Sequence, residues 1–402
     1  MNNALVNWLI IVLFLTCIGS FEWLYAVFGK VAFYSDIKVA CLLLIHMLFF
    51  SIFQLFSGSL IDNYGIKMTI LLAVFCSLIG MILQSCINAN LFFMTLFVSQ
   101  FFLTFGASFT FVGIGYVSRR FFSLQNYGLM FGLAQTIYSL SYAIFNVAVF
   151  FHWVSAENFK LLAIYIIMLQ VVICILALFM ISNPKEYNHK RNVTFRDTFK
   201  QCLCYIYSVS RIKPIWLISI LGSISFGMFF SCSTFLFYRI NVHSNEFLAI
   251  ALLNMWIGFS IGAPISCWIF NYFHNKKYIF LTFNIIQCLS LIFLSMINYK
   301  IEGQYLSYIY YCIAELFGFT SGGHMIAFII GSSVVNSDKI STVCAILNGC
   351  MCITSGLIIL IVIILAVHYD ISHIILLLAI LSLFTHIAVN FLSAKFTKYQ
   401  IT

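Results

Sequence analysis

Charge is what this sequence has least of. Asp, Glu, Lys and Arg make up 8% of its 402 residues, while 63% are hydrophobic. With a mean hydropathy of +1.06, the chain has more apolar surface than any water-soluble core can hide, so it reads as a polytopic membrane protein. Proline is nearly absent, three in the whole chain, which leaves long helices unbroken. Alternation of polar and apolar residues is missing too. The apolar runs are continuous, which excludes a transmembrane β-barrel. Also missing are a Walker phosphate loop, a His-Glu-x-x-His, a Gly-x-Ser-x-Gly and any acidic metal cluster. Those absences argue against ATP-driven chemistry and against a membrane-embedded enzyme, and no cofactor or metal is expected.

The net charge is +9, but the bases fall in short loops, as membrane topology requires, so no nucleic-acid partner is implied. Fourteen cysteines are present. Most, such as Cys17, Cys76, Cys174, Cys288 and Cys312, sit inside apolar runs and behave as small apolar residues. Cys202-x-Cys204 and Cys350-x-Cys352 have no second ligand pair at zinc spacing. The N-terminal stretch has no basic region and no small-residue cleavage site before its apolar run continues, so it reads as a first membrane helix.

Twelve runs are long enough to cross a bilayer at about 20 residues each. Their expected limits are 4–29, 39–60, 68–87, 91–116, 125–151, 159–182, 214–238, 246–270, 278–297, 305–333, 340–366 and 372–394. The fold class is therefore all-α, with twelve transmembrane helices in two six-helix bundles. The domains are 1–182, a basic linker 183–213, and 214–402. Within the linker, 194–208 has Phe195, Phe199, Cys202 and Tyr205 at helical spacing and is read as an interfacial helix. With the N-terminus inside, fifteen of the 20 Lys and Arg fall on inner loops and the tail, which puts both termini in the cytoplasm. The sequon Asn192-Val193-Thr194 then lies on the wrong face for glycosylation.

The stretch 54–67, Gln-Leu-Phe-Ser-Gly-Ser-Leu-Ile-Asp-Asn-Tyr-Gly-Ile-Lys, joins the second and third spans. Gly58 permits close helix approach and Gly65 a tight turn. Asp62 is read at the start of the following helix, where the dipole favours a carboxylate, and Lys67 keeps the turn in water. Shifted by 209 residues, the turn falls on 267–277, where Asn271 matches Asp62 and Lys276 matches Lys67. The pattern Gly-x-Leu-x-Asp-x-x-Gly-x-Lys resembles the loop between helices 2 and 3 of the major facilitator superfamily (MFS). The family form has further bases at the places of Asn63 and Ile66. A second match runs over 105–136 and is similar to a bacterial branch with nutrient and siderophore carriers of intracellular pathogens. Departures matter as well. Phe102 stands near the family's helix-4 arginine, and no Gly-Pro motif occurs in 125–151, so drug/proton antiport is disfavoured.

The resemblance implies two pseudo-symmetric bundles, with spans 1, 4, 7 and 10 lining a central cavity. It implies a secondary transporter of the bacterial inner membrane, a proton-coupled symporter for an amino acid, carboxylate or siderophore. A uniporter, an antiporter or a nutrient sensor on the same fold is the alternative. The expected form is a monomer whose partners are a small-molecule substrate, protons and the bilayer. A charge inside a bilayer costs on the order of 3 kcal/mol, so it is usually functional or paired. Glu22 in the first span and Glu315 in the tenth are thus candidates for the coupling proton. His324 is a further candidate for the proton or the substrate, with helix packing as the alternative; it is nine residues beyond Glu315, which on a straight helix puts the two on opposite faces. Gly318, Gly322 and Gly323 lie between or beside them and could bend the helix. Tyr25, Gln100, Thr104, Gln135, Tyr138, Asn254, Trp256 and Asn348 are the candidate cavity polar groups. Gln135 and Asn348 lie 213 residues apart, close to the repeat offset. Arg239 reads as an outer residue that either snorkels to the headgroups or attracts an anionic substrate, and His46 and His386 read as structural histidines.

Overall fold

The computed structural model describes residues 2–28, 36–86, 92–150, 158–183, 195–233, 245–273, 276–297, 304–366 and 368–394. Arg239, the sequon at 192–194 and three of the linker's seven Lys and Arg, Lys185, Lys190 and Arg191, lie outside them. The described residues form α-helices and short 3-10 turns, with no strand among them. In chain order these are α1 Asn2–Phe28, α2 Asp36–Tyr64, α3 Ile66–Ser85, α4 Phe92–Phe121, α5 Leu124–Phe150, α6 Phe159–Met180 and α7 Phe195–Ser210. They continue as α8 Lys213–Ser231, α9 Asn245–Tyr272, α10 Lys276–Ile297, α11 Gln304–Ser321, α12 Met325–Ser333, α13 Ile340–Leu365 and α14 Ile371–Ala394.

Among the described residues twelve stretches are long and apolar enough to span a membrane, α11 and α12 forming one of them across the 3-10 turn Gly322–His324. The all-α, twelve-span architecture read from composition is thus present. Two spans run a full turn or more past their expected ends. α2 continues through Asp62 and Asn63 to Tyr64, and α4 through Arg119 and Arg120 to Phe121. The apolar run stops at these points, but the hydrogen-bonded ladder continues, because each added polar side chain still leaves the backbone free to bond i to i−4.

The described contacts fall into two compact units. The first comprises residues 1–127, 154–212 and 332–353, and the second 128–153, 213–331 and 354–402. α5 therefore packs mainly within the second unit, and the first half of α13 within the first.

In the first unit α3 packs along α4, and α2 also packs on α4. Gly80 and Gly106 make the α3–α4 approach possible: a Cβ on Gly80 would stand 2.5 Å from the Leu103 nitrogen, and one on Gly106 would meet the Ala73 carbonyl and the Ser77 side chain. The α2–α3 turn is held by Gly65 at φ 78° and ψ 171°, a region essentially reserved for glycine. Asn183, just past α6, accepts the Lys67 backbone N–H at 2.8 Å and so satisfies the first turn of α3 from a distant segment. Lys67 itself is half-buried.

In the second unit α9 runs against α11 through two facing small-residue pairs, Gly258 with Gly262 and Gly318 with Gly322. In lipid such pairs let backbones touch and gain dispersion contact. Pro264 lies inside α9 and cannot donate to the Ser260 carbonyl one turn back. That carbonyl accepts the Thr136 hydroxyl of α5 at 2.6 Å instead. Gly132, beside it on α5, leaves room for the proline ring's backbone: a Cβ there would be 2.7 Å from Pro264 Cα.

Candidate functional site

Asp62 does not sit at the start of α3. It lies two residues before the end of α2, 4% exposed, and its carboxylate faces the first turn of α13. Oδ2 accepts the Thr342 backbone N–H at 2.9 Å and the Thr342 hydroxyl at 2.8 Å. Oδ1 accepts the Ser341 N–H at 3.3 Å. These are donors that a helix start leaves unpaired, and the dipole there favours an anion. The expected chemistry is present, but on a helix some 280 residues away. Gly58, one turn earlier, lets α2 reach α13: a Cβ on it would be 2.5 Å from the Ser341 carbonyl oxygen and 2.6 Å from Ala345 Cβ. Farther along, the Ser51 hydroxyl donates to the Gly349 carbonyl at 3.2 Å. α7 covers the same end of α2. Phe199 stacks on Phe56 with ring centroids 5.9 Å apart, and Asn63 reaches Cys202 Sγ at 3.9 Å.

The first unit also gathers Glu22. Its Oε2 lies 3.4 Å from His46 Nε2, across from α1 to α2. His46 Nδ1 lies 2.9 Å from Gln100 Oε1 on α4. Gln100 Nε2 donates to Gln84 Oε1 on α3 at 2.8 Å. Four helices thus feed one polar chain inside an apolar bundle. Glu22 Oε1 and Gln84 Nε2 are buried without hydrogen-bond partners. Tyr25, one turn on from Glu22, donates to Ser85 Oγ at 3.1 Å and packs edge-on against Phe159. Thr104 bonds back to the Gln100 carbonyl at 2.5 Å, within α4. Asn348 is buried on α13.

Sequence reasoning read His46 as structural and passed over Gln84. The available signal was the count of polar side chains in the second and third spans. What it could not supply was the register that brings residues 22, 46, 84 and 100 together.

The second unit holds the other candidates. The helix break that the glycines suggested falls at Gly322–His324 as a 3-10 turn. His324 is 1% exposed. Its Nδ1 donates to the Ser321 carbonyl at 2.9 Å, and its ring stacks on Phe259 at 5.2 Å and leans on Phe226 at 5.1 Å. Phe229 stacks on Phe259 at 3.9 Å and meets Trp256 edge-on at 4.9 Å. Tyr142 stacks on Trp256 at 4.8 Å and accepts the Tyr138 hydroxyl at 2.9 Å. His324, Trp256 and Tyr138 therefore belong to one aromatic column. Gln135 closes a local ring with Ser139 at 3.1 Å, and Asn254 donates to its own helix at Ile250. Glu315 is half-buried and makes no hydrogen bond or ion pair among the described residues. It is not brought to His324.

A family model described as Major Facilitator Superfamily matches residues 3–359. The chain belongs to the major facilitator superfamily. Membership makes it a multi-pass membrane transporter rather than an enzyme. Its fold is similar to the crystal structure of a point variant of the E. coli fucose:proton symporter FucP, with a TM-score of 0.69 and 15% identity, covering 97% of this chain and 98% of that one. No curated protein matches it in sequence.

Proposed function

We propose that this transporter is a proton-coupled symporter for a small polar metabolite, working by alternating access in a bacterial inner membrane. The substrate classes favoured are amino acids, small carboxylates and carboxylate siderophores. The fold likeness to a fucose:proton symporter adds neutral sugars to the panel worth testing. Residues 1–182 and 214–402 are the moving halves in this reading, joined by the basic linker 183–213, and the protein works as a monomer.

The observation that carries the proposal is the pairing of Glu22 with His46 at 3.4 Å. A carboxyl in an apolar helix is costly unless it is neutral or paired, and an imidazole is the partner that exchanges protons near neutral pH. Glu22 is the proton carrier in this scheme. The Asp62–Thr342 contact ties a helix of one sequence half to a helix of the other on the basic, cytoplasmic end, so it acts as a latch that opens once per cycle. His324 packs among phenylalanines and serves the second half as a helix-packing residue. Glu315 has no protein partner among the described residues and is assigned to the substrate.

The test is uptake by proteoliposomes against amino acids, organic acids, siderophores and sugars, with and without an inward pH gradient. Accumulation of one class that depends on the gradient supports the proposal. Uptake indifferent to the gradient removes proton coupling. Absence of uptake and counterflow for every class favours a sensor.

A further inference from the structure

We infer that the coupling proton is shared by Glu22 and His46 and is read out by Gln100 and Gln84, whose amides reverse their hydrogen-bond direction when the proton binds or leaves. The inference rests on Glu22 as the proton carrier and extends it to three residues on α2, α3 and α4.

The argument is a count of protons along the chain of contacts. A glutamine Oε1 can only accept, so the 2.9 Å contact from His46 Nδ1 to Gln100 Oε1 requires the hydrogen on Nδ1. Gln100 Nε2 then donates onward to Gln84 Oε1 at 2.8 Å, and the direction is set from His46 outward. With Nδ1 protonated, a bare Nε2 beside a carboxylate would set two acceptors face to face at 3.4 Å, so two forms remain for the other end. Either Nε2 is bare and Glu22 is a carboxylic acid donating to it, or Nε2 also carries a hydrogen and Glu22 is a carboxylate. Both forms hold one proton more than a neutral imidazole beside a carboxylate. Glu22 Oε1 is buried with no donor to it, which suits the acid better than the anion, because an orphaned carboxylate oxygen loses more on leaving water. The arrangement is the proton-loaded one.

The unloaded arrangement fits the same space. Turning an amide end for end exchanges its oxygen and nitrogen with almost no change of shape. Gln84 Nε2 then donates to Gln100 Oε1, Gln100 Nε2 donates to a bare His46 Nδ1, and His46 Nε2–H donates to the Glu22 carboxylate. The loaded state, with Gln84 Nε2 idle, leaves one amide atom of Gln84 unpaired; the unloaded state leaves its oxygen idle instead. Each direction therefore strands one amide atom at the Gln84 end, with Glu22 Oε1 unpaired at the other end, and none in its middle. Going from unloaded to loaded adds one proton at Nδ1. Transfer of the Nε2 hydrogen to Glu22 Oε2 then neutralises the pair, and no other bond is made or broken.

The surroundings leave the pair to itself. From α13 the Cys352 thiol lies within electrostatic reach of Glu22. From α1 the Tyr25 hydroxyl is turned to Ser85. α3 and α4 present Gln84 and Gln100. No Lys, Arg or Asp is paired with either group among the described residues. A mechanical consequence follows: α1 and α2 meet at the proton, while α3 and α4 meet at the amides. Proton release thus changes the hydrogen bonding between both helix pairs together.

The test needs protons alone as the probe. The purified full chain, with its glutamine side chains carbon-13 labelled, is titrated from alkaline to acid pH and followed by infrared difference spectroscopy. A carboxyl band, an imidazole band and a labelled amide band should appear with one common midpoint. All three vanish in Glu22→Gln. In Gln100→Leu the amide response is lost and the carboxyl midpoint moves by about one pH unit, the scale of one hydrogen bond to a charged group. Should Gln100→Leu not fold, Gln84→Met reads the same coupling one amide further out. A Glu22 band that titrates while the amide bands stay flat overturns the inference and leaves Glu22 as carrier. No titrating band assignable to Glu22 overturns both.

Discussion

Asp62 and Thr342 form a cap made in trans: one carboxylate oxygen takes both the backbone N–H and the hydroxyl of a threonine 280 residues later, at 2.9 and 2.8 Å. A helix usually caps its own first turn with its own side chain. Here α13 is capped by α2, so the stability of that turn depends on the two helices being together.

Removing the carboxylate should therefore open the contact as well as weaken a helix. Asp62→Ala leaves the Ser341 and Thr342 N–H groups unpaired, at a cost of about 1–3 kcal/mol, and Asp62→Asn, which keeps one acceptor, should fall between it and the native chain. Cys344 is a built-in reporter, fully buried one turn into α13 and in contact with the Tyr127 hydroxyl. Maleimide labelling of Cys344 should rise several-fold in Asp62→Ala and less in Asp62→Asn. Unchanged labelling in both would show that the cap does not hold the helices together.

Gly58 and Gly349 offer a contrast at the same helix pair. A Cβ at Gly58 would press on Ser341 and Ala345 at 2.5 and 2.6 Å, whereas at Gly349 the nearest atom is the Ser51 carbonyl oxygen at 3.5 Å, an ordinary contact. Gly58→Ala should destabilise by about 1–3 kcal/mol, since backbone must move. Gly349→Ala should be neutral or gain up to about 1 kcal/mol from helix propensity. Thermal unfolding followed by size-exclusion chromatography compares the two, and an equal response would contradict the packing described here.

The difference between what was and was not legible in the sequence follows from range. Gly65 and the helix break at Gly322–His324 could be read because each acts within a few residues of itself, whereas Gly58 could be read as a close-approach residue without α13 being named as the helix approached. Asp62 was read as a helix-start carboxylate, which it is, but the helix it serves could not be read, because no local spacing encodes a contact with Thr342. His46 shows the same limit. A lone histidine in an apolar run is usually packing, and only the placement of Glu22 and Gln100 beside it gives it a proton to hold. Gln135, Thr104 and Asn254 make their bonds close to home. They were candidates by residue type, and Gln135 Nε2, the Thr104 hydroxyl and Asn254 Nδ2 bond locally to Ser139, to the Gln100 carbonyl and to the Ile250 carbonyl.

The amphipathic α7 carries two cysteines with opposite fates. Cys202 is 1% exposed, facing Asn63, and burial pushes its thiol above the usual value, while Cys204 is exposed. Thiolate is the reactive form, and a raised thiol value means less thiolate at any pH below it. At neutral pH a maleimide should therefore modify the Cys202→Ser variant at position 204 much faster than the Cys204→Ser variant at position 202. Raising the pH should speed the buried site over a higher pH range than an unburied thiol. Equal rates would mean that α7 does not lie against α2 in solution.

Glu22 and Glu315 looked equivalent as lone carboxyls on two spans, and their surroundings separate them. Glu22 has an imidazole at 3.4 Å, whereas Glu315 has no partner among the described residues. Glu22→Gln removes the titrating group but keeps a side chain of the same size, so gradient-driven accumulation should be lost while counterflow, which needs no net proton movement, continues. Glu315→Gln should leave the dependence on the gradient intact and raise the half-saturating substrate concentration, by about ten- to a hundredfold if a charged hydrogen bond worth about 1.5–3 kcal/mol is lost. The split between accumulation and KM is the measurement, and it requires both variants in the same proteoliposome assay. Should Glu315→Gln be the one that abolishes accumulation while Glu22→Gln spares it, the proton belongs on the tenth span and the assignment of the two carboxyls is reversed.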